Sequence, residues 1–244
     1  MDQRTACVFG ATGGIGSALV RALATRDDVA VVHAGGRVLP ELTDRSGGDK
    51  VRPFRFDLGD QASIGAAAED MAATPPDLVV VATGVLAFPD GTAPEKTVRA
   101  LDADRMAEMF MLNTIGPALI AKHMLPRFAR DRRAVFVALS ARVGSIGENR
   151  LGGWHSYRAS KAALNMLVRN FGIEMRRTHP QAVVAALHPG TVDTLLSREF
   201  QRNLPPGQLT EASQAAARLI GVIDALSPAD SGGFFGFDGR PIAF

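Results

Sequence analysis

The sequence predicts an α/β fold: one doubly wound, mainly parallel, seven-stranded sheet with helices on both faces. Three observations carry this. Short apolar runs alternate with longer helical patterns along all 244 residues. Most of those runs are continuous rather than alternating, as in strands buried on both faces. No repeat and no low-complexity linker divides the chain, so residues 1–244 are expected to form a single domain.

The candidate strands are "TACVFG" (5–10), "VAVVH" (29–33), "VRPFRF" (51–56), "DLVVVAT" (77–83), "AVFVALS" (134–140), "AVVAALH" (182–188) and "GFFGF" (233–237). Pro53 offers no N–H to a ladder, so the third strand belongs at a sheet edge or starts there. Helical patterns fall at 14–25, 60–72, 101–128, 156–178 and 210–226. In the fourth, Leu164, Leu167, Val168, Phe171 and Met175 recur on one face. "SGGDK" and "TPPD" read as turns. The segment from Thr191 to Thr210, containing "NLPPGQ", is the longest without a pattern and is the candidate substrate loop or lid.

Composition narrows the partners. The formal net charge is +2. The local cluster Arg127, Arg130, Arg132 and Arg133 reads as a solvated helix end before a strand, not as a nucleic-acid patch. The single cysteine, Cys7, lies in an apolar run and permits no disulfide within the chain, which fits a reducing compartment. No run is long enough to span a bilayer and no signal-peptide pattern is present. A cytoplasmic protein with neither nucleic acid nor membrane as partner is expected.

"CVFGATGGIGSALV" places Gly10, Gly14 and Gly16 between the first strand and the first helix. Glycines there let the chain turn tightly and bring backbone N–H groups to a pyrophosphate at a helix N-terminus. The spacing is G-x-x-x-G-x-G, not the general G-x-G-x-x-G fingerprint. In a doubly wound sheet this is the Rossmann arrangement. The second strand ends "VVHAGGR" with no carboxylate for a ribose 2′-hydroxyl before Glu41, while Arg37 offers a charge-assisted partner for a 2′-phosphate. The expected cofactor is NADP, with NAD the second possibility and a solvated loop arginine the plainer account of Arg37. Asp57 and Leu58 follow the third strand, and Ala82, Thr83 and Gly84 follow the fourth, at the carboxyl ends where such sheets bind ligands. Asp57 alone fits a helix N-cap equally well.

The stretch "WHSYRASKAAL" contains the only tyrosine, Tyr157, and one of four lysines, Lys161. At i and i+4 they share a helix face. A nearby ammonium lowers a phenol pKa toward working pH, and such a tyrosine can exchange a proton with a carbonyl or alcohol oxygen. Asn113 falls on an apolar stripe with Met106, Met109, Ile120 and Met124, where an amide needs partners. Pro117, four residues on, has no N–H for the Asn113 carbonyl, which predicts a free acceptor and a kink.

In this order, "GATGGIG", "LNTIG", the strand ending "VALS", "YRASKAALN", "HPGTVDT" and "FDGRPIAF" resemble the short-chain dehydrogenase/reductases over the whole chain. "SARVGSIGENRLGGWHSYRASKAALN" is similar to the C-factor and Sniffer-like carbonyl reductase branch. The resemblance implies hydride transfer between a nicotinamide and a small-molecule carbonyl or secondary alcohol, with Tyr157 as general acid/base. It implies that Lys161 holds the nicotinamide ribose and lowers the tyrosine pKa, and that Asn113 supports a water in a proton relay. Gly10, Thr12, Gly14, Ile15 and Gly16 would line the pyrophosphate, with Asp57, Leu58, Ala82 and Gly84 further along the dinucleotide. Pro189, Gly190, Val192 and Thr194 would line the nicotinamide. Relatives commonly pair through the outer faces of the fourth and fifth helices, so a homodimer or homotetramer is implied.

The serine departs from the pattern. The family ends its fifth strand with two serines, the second catalytic, whereas here the strand runs into "ALSARVGS". Ser140 takes the first position and Ala141 the second; Ser145 is the other candidate. A hydroxyl is needed where charge develops on the substrate oxygen, and Ser140 is preferred because it leaves a central strand. His155, Trp154 and His188 have no partner at metal-ligand spacing, so no metal is expected. No G-x-S-x-G elbow is present, which excludes an α/β-hydrolase. The alternative function is a dinucleotide-binding signalling or regulatory protein with little or no turnover.

Overall fold

The computed structural model describes residues 3–39, 49–88, 90–205 and 207–244; Glu41 lies outside them. The strands of the main sheet are β1 (Arg4–Phe9), β2 (Val29–Gly36), β3 (Val51–Arg55), β4 (Leu78–Val81), β5 (Ala134–Leu139), β6 (Ala182–His188) and β9 (Phe234–Gly236). They lie in the order β3-β2-β1-β4-β5-β6-β9. Every neighbouring pair is parallel. β3 is an edge strand, as the missing N–H of Pro53 requires. The order reverses between β1 and β4, which opens a crevice outside their carboxyl ends.

Side chains alternate across each strand and feed two cores. Ala6 and Val8 of β1 pack with α1 (Gly14–Ala24) and α6 (Ala212–Ala225) on one face. Cys7 and Phe9 pack with α2 (Gln61–Asp70), α4 (Gly116–Met124) and α5 (His155–Thr178) on the other. Burial on both faces explains why these strands read as unbroken apolar runs.

Two regions differ from expectation. The pattern at 101–128 is not one helix. It is α3 (Ala103–Phe110), a π-helical turn (Met111–Ile115), α4, and a closing 3₁₀ turn (Leu125–Arg127). The Gly116 N–H bonds to the carbonyl of Met111, five residues back. Pro117 sits in the first turn of α4, where a missing N–H is tolerated. The predicted disturbance around Asn113 thus takes the form of a π-bulge, a device common at functional sites. The segment 191–210 is also more ordered than its composition suggests. β7 (Thr191–Val192) pairs in parallel with β8 (Leu209–Thr210), pinning the two ends together around a 3₁₀ segment (Arg198–Asn203).

Candidate active site

The glycine-rich turn leaves β1 with Gly10 at φ 93°, a left-handed conformation that favours glycine. Gly16 faces it so closely that a Cβ there would stand 2.0 Å from the Gly10 carbonyl oxygen. Helix α1 follows with no side-chain N-cap and no acidic residue in its first turn, so its free N–H groups and dipole suit an anion. Ile15 packs against the core behind this turn. Thr12 lies against Gly36, and the Thr194 side chain lies over Gly14, so a Cβ at either glycine would collide with it. Thr83 Oγ1, just beyond β4, is buried without a partner. A cradle shaped by glycines, an uncapped helix start and an orphaned hydroxyl fit a dinucleotide.

The flanking candidates divide. Arg37 is exposed at the end of β2. Asp57 is exposed and accepts the Gly59 N–H at 2.8 Å, while the N-cap of α2 is Asp60. Asp57 therefore closes a turn ahead of the helix instead of capping it. Leu58 is buried against Gly116 of α4. Ala82 and Gly84 lie between cradle and catalytic helix: Gly10 abuts Ala82 and Thr83, and Gly84 abuts Asn113 Oδ1 and Lys161 Nζ. Pro189, Gly190 and Val192 follow β6, with Gly190 at φ 81°.

Asn113 is fully buried in the π-turn. Its Oδ1 accepts the Val85 N–H at 2.8 Å and its Nδ2 donates to the Val85 carbonyl at 2.9 Å. Nδ2 also lies 3.2 Å from Ser160 Oγ. Next to it, Thr114 Oγ1 donates to the Ser160 carbonyl at 2.7 Å. The bulge thus presents two consecutive polar side chains to α5 and locks the connection after β4. The side chain of Asn113 is a two-point backbone clamp. Thr114, Ser156 and Ser160 are not among the residues expected from the sequence. The available signal was the buried stripe of α5, polar in its first two turns (Ser156, Tyr157, Ser160, Lys161) and largely apolar after Leu164.

Tyr157 and Lys161 share the buried face of α5, as i,i+4 spacing requires. They do not yet act on one another. Lys161 Nζ donates to the Leu139 carbonyl at 2.9 Å. Burial holds its pKa down at about 8. The Tyr157 ring packs with Leu86, Phe88 and Met109, edged by Val85, Ala141, Val143, Trp154 and Phe200. Burial in that apolar cluster pushes its phenol well above the ordinary range. This corrects the expectation of a phenol lowered by its lysine: here desolvation is the only influence on either group.

Ser140 also departs from expectation. Its hydroxyl donates to Asn165 Oδ1 at 2.6 Å, inside the protein. Asn165 lies eight residues beyond Tyr157, roughly 12 Å further along the helix. Ser145 Oγ accepts the Glu148 N–H at 3.1 Å and closes a local turn. Neither serine hydroxyl is hydrogen-bonded to Tyr157. Ala141, pointing the opposite way from Ser140 at the strand end, packs there instead. His155 and His188 join no cluster of potential metal ligands among the described residues.

A parallel sheet with a phosphate cradle at its switch point and a buried tyrosine beside it defines a dinucleotide-dependent oxidoreductase. The sequence profile of the family described as "short chain dehydrogenase" matches residues 4–205, and the chain belongs to that family. It is 34% identical to the C-signal protein of Myxococcus xanthus over 143 residues, covering 58% of this chain and 80% of that one. An NADPH-bound carbonyl reductase from chicken fatty liver superposes with a TM-score of 0.81 at 25% identity, covering 100% of this chain and 95% of that one. The carbonyl reductase Sniffer of Drosophila melanogaster shares the fold, with a TM-score of 0.83 at 20% identity over 99% and 100% of the two chains. No helix among the described residues is long and apolar enough to cross a membrane.

Proposed function

We propose that this protein is an NADP-preferring carbonyl reductase acting on small, uncharged, largely apolar carbonyl compounds. One observation supports this most directly: the Tyr157 phenol is set among apolar and aromatic side chains, beside a cradle built for a dinucleotide. Bound there, the nicotinamide dinucleotide supplies or accepts the hydride. Gly10, Gly14 and Gly16 approach the pyrophosphate, with Thr12 and Ile15 shaping the turn. Arg37 meets the 2′-phosphate. Asp57, Leu58, Ala82 and Gly84 line the adenosine side and the path to Lys161; Pro189, Gly190, Val192 and Thr194 line the nicotinamide side.

Tyr157, kept protonated by burial, gives its proton to the oxygen of the carbonyl being reduced. Lys161 holds the ribose and, as a cation, favours the phenolate left behind. Asn113 fixes the Val85 backbone that edges the pocket. No serine hydroxyl joins Tyr157. The pairing of Val192 with Thr210 and the contact of the Phe200 ring with Trp154 support a role for the 191–210 segment as a lid. Exposed apolar side chains on the outer faces of the central helices, Met111, Ile115, Met166 and Ile173, suit self-association as a dimer or tetramer. The lone buried thiol, Cys7, suits the cytoplasm.

The test is NADPH consumption across a panel of aldehydes, ketones and quinones, with turnover expected on apolar members and not on carboxylate-bearing ones. A second reading draws on two observations: the likeness to the C-signal protein and the methyl group of Ala141 at the strand end beside Tyr157. It is a dinucleotide-binding signalling protein, and tight NADPH binding with no turnover on any panel member would establish it instead.

A further inference from the structure

Helix α5 starts in an unusual way. Its N-cap is Trp154, at φ 50° and ψ 45°, with no side-chain capping bond. N-cap residues ordinarily have extended backbone and a short polar side chain. A bulky residue in the left-handed region is an outlier that its surroundings must hold in place. Gly152 and Gly153 precede it at φ 62° and 66°, so the chain enters the helix through three consecutive left-handed residues, the last of which has a Cβ.

The surroundings that hold it come from 59 residues away. The Trp154 N–H donates to the Glu95 carbonyl oxygen. The Ser156 N–H donates to Glu95 Oε2 at 3.3 Å, and the Ser156 hydroxyl donates to Glu95 Oε1. Ser156 itself is buried. Glu95 thus satisfies two helix-start N–H groups with a carbonyl and a carboxylate, where a negative charge also meets the helix dipole favourably. Tyr157 is the next residue. The Trp154 ring meets the Tyr157 ring edge-on at 6.3 Å and the Phe200 ring at 4.9 Å. The same connection that carries Glu95 is held at its other end by Asn113 on Val85.

We infer that Glu95 is a positioning residue for Tyr157: the Glu95–Ser156–Trp154 contact replaces the missing cap of α5, and in doing so fixes the tyrosine and the indole that walls its pocket. The inference rests on the oxidoreductase reading for its kinetic consequence but not for its structural one. Glu95 touches no reacting atom; it acts through Ser156 and Trp154.

Trp154 is the only tryptophan, so its fluorescence reports the contact without any turnover. In the full-length protein, Glu95→Ala is expected to make Trp154 at least twofold more quenchable by acrylamide. It should lower kcat for an aromatic aldehyde at least tenfold and leave the Kd for NADPH within twofold. Glu95→Gln, which keeps an acceptor for the Ser156 N–H, should restore most of kcat. Adding Ser156→Ala to Glu95→Ala should cause little further loss, because both act through one contact. Unchanged quenching and kcat in Glu95→Ala would overturn the inference, as would NADPH binding lost in parallel with kcat. If Glu95→Ala does not fold, Ser156→Ala read by the same quenching and kcat decides the matter. A parent protein that turns over no carbonyl while Glu95→Ala still loosens Trp154 would remove the oxidoreductase reading and leave the contact standing.

Discussion

Ser140 spends its hydroxyl on Asn165: the two meet at 2.6 Å in the interior, with Asn165 Nδ2 left without a partner. A buried amide with one side unsatisfied cannot lose the other cheaply. Ser140→Ala should therefore destabilise the fold by about 1–3 kcal/mol, read as a lower urea midpoint, while kcat stays within a fewfold of the parent. A large loss of kcat with unchanged stability would return Ser140 to the reaction.

Ala141 gives the complementary case. It packs against the Tyr157 cluster from the strand end, so a hydroxyl introduced there would enter that cluster. Ala141→Ser is expected to raise kcat by roughly 10-fold or more, in line with one added oxyanion donor. A variant with parental or lower kcat would mean that the pocket has no room for that bond.

Tyr157→Phe removes the phenol oxygen and little else. Turnover should fall by about 10²–10⁴-fold, the usual size of a lost general acid, with NADPH affinity retained. Near-parental carbonyl reduction by the Phe variant would rule out the proton transfer.

Lys161 is held at about 8, below the 10.5 of a free lysine, by burial. The sign follows from proton counts. Between those pH values the unfolded chain binds the proton and the native one does not, so this group makes stability rise with pH there. Below pH 8 the buried charge costs the fold roughly 3 kcal/mol, from about 1.4 kcal/mol per pH unit. Lys161→Met should abolish turnover yet raise the urea midpoint at pH 7, with the gain shrinking toward pH 10. Equal stabilities at pH 7 would show that the ammonium finds compensation in the Leu139 carbonyl.

Arg37 sits exposed where β2 ends. Loss of a charge-assisted bond to a 2′-phosphate is worth about 10–100-fold. Arg37→Ala should weaken NADPH by that factor and leave NADH unchanged. A parent that binds NADH as tightly as NADPH would end the NADP preference.

The elements were legible because their causes are local. Continuous apolar runs, the proline in an edge strand and the glycines of the cradle each impose their structure within a few residues, and all seven expected strands and every helical pattern except the one at 101–128 lie where those rules put them. The pairing of Tyr157 with Lys161 on one helix face was legible for the same reason. Pro117 announced trouble at Asn113, but whether as a kink or a π-bulge depended on what Asn113 and Thr114 could reach on α5.

What only the tertiary structure decided is where each polar group finds its partner. Ser140 and Ala141 are adjacent letters, yet strand geometry sends one to Asn165 and the other to Tyr157. Glu95 has no local signature; it matters because folding brings it to the uncapped start of α5. The direction of the Tyr157 and Lys161 pKa shifts reversed the expectation for the phenol, since desolvation is set by the whole surrounding cluster and not by spacing along a helix. Sequence alone determined the scaffold and the identity of the reactive pair, because backbone preferences and burial patterns act at short range. The electrostatic environment of that pair is a sum over residues distant in the chain, and it exists only once the chain has folded.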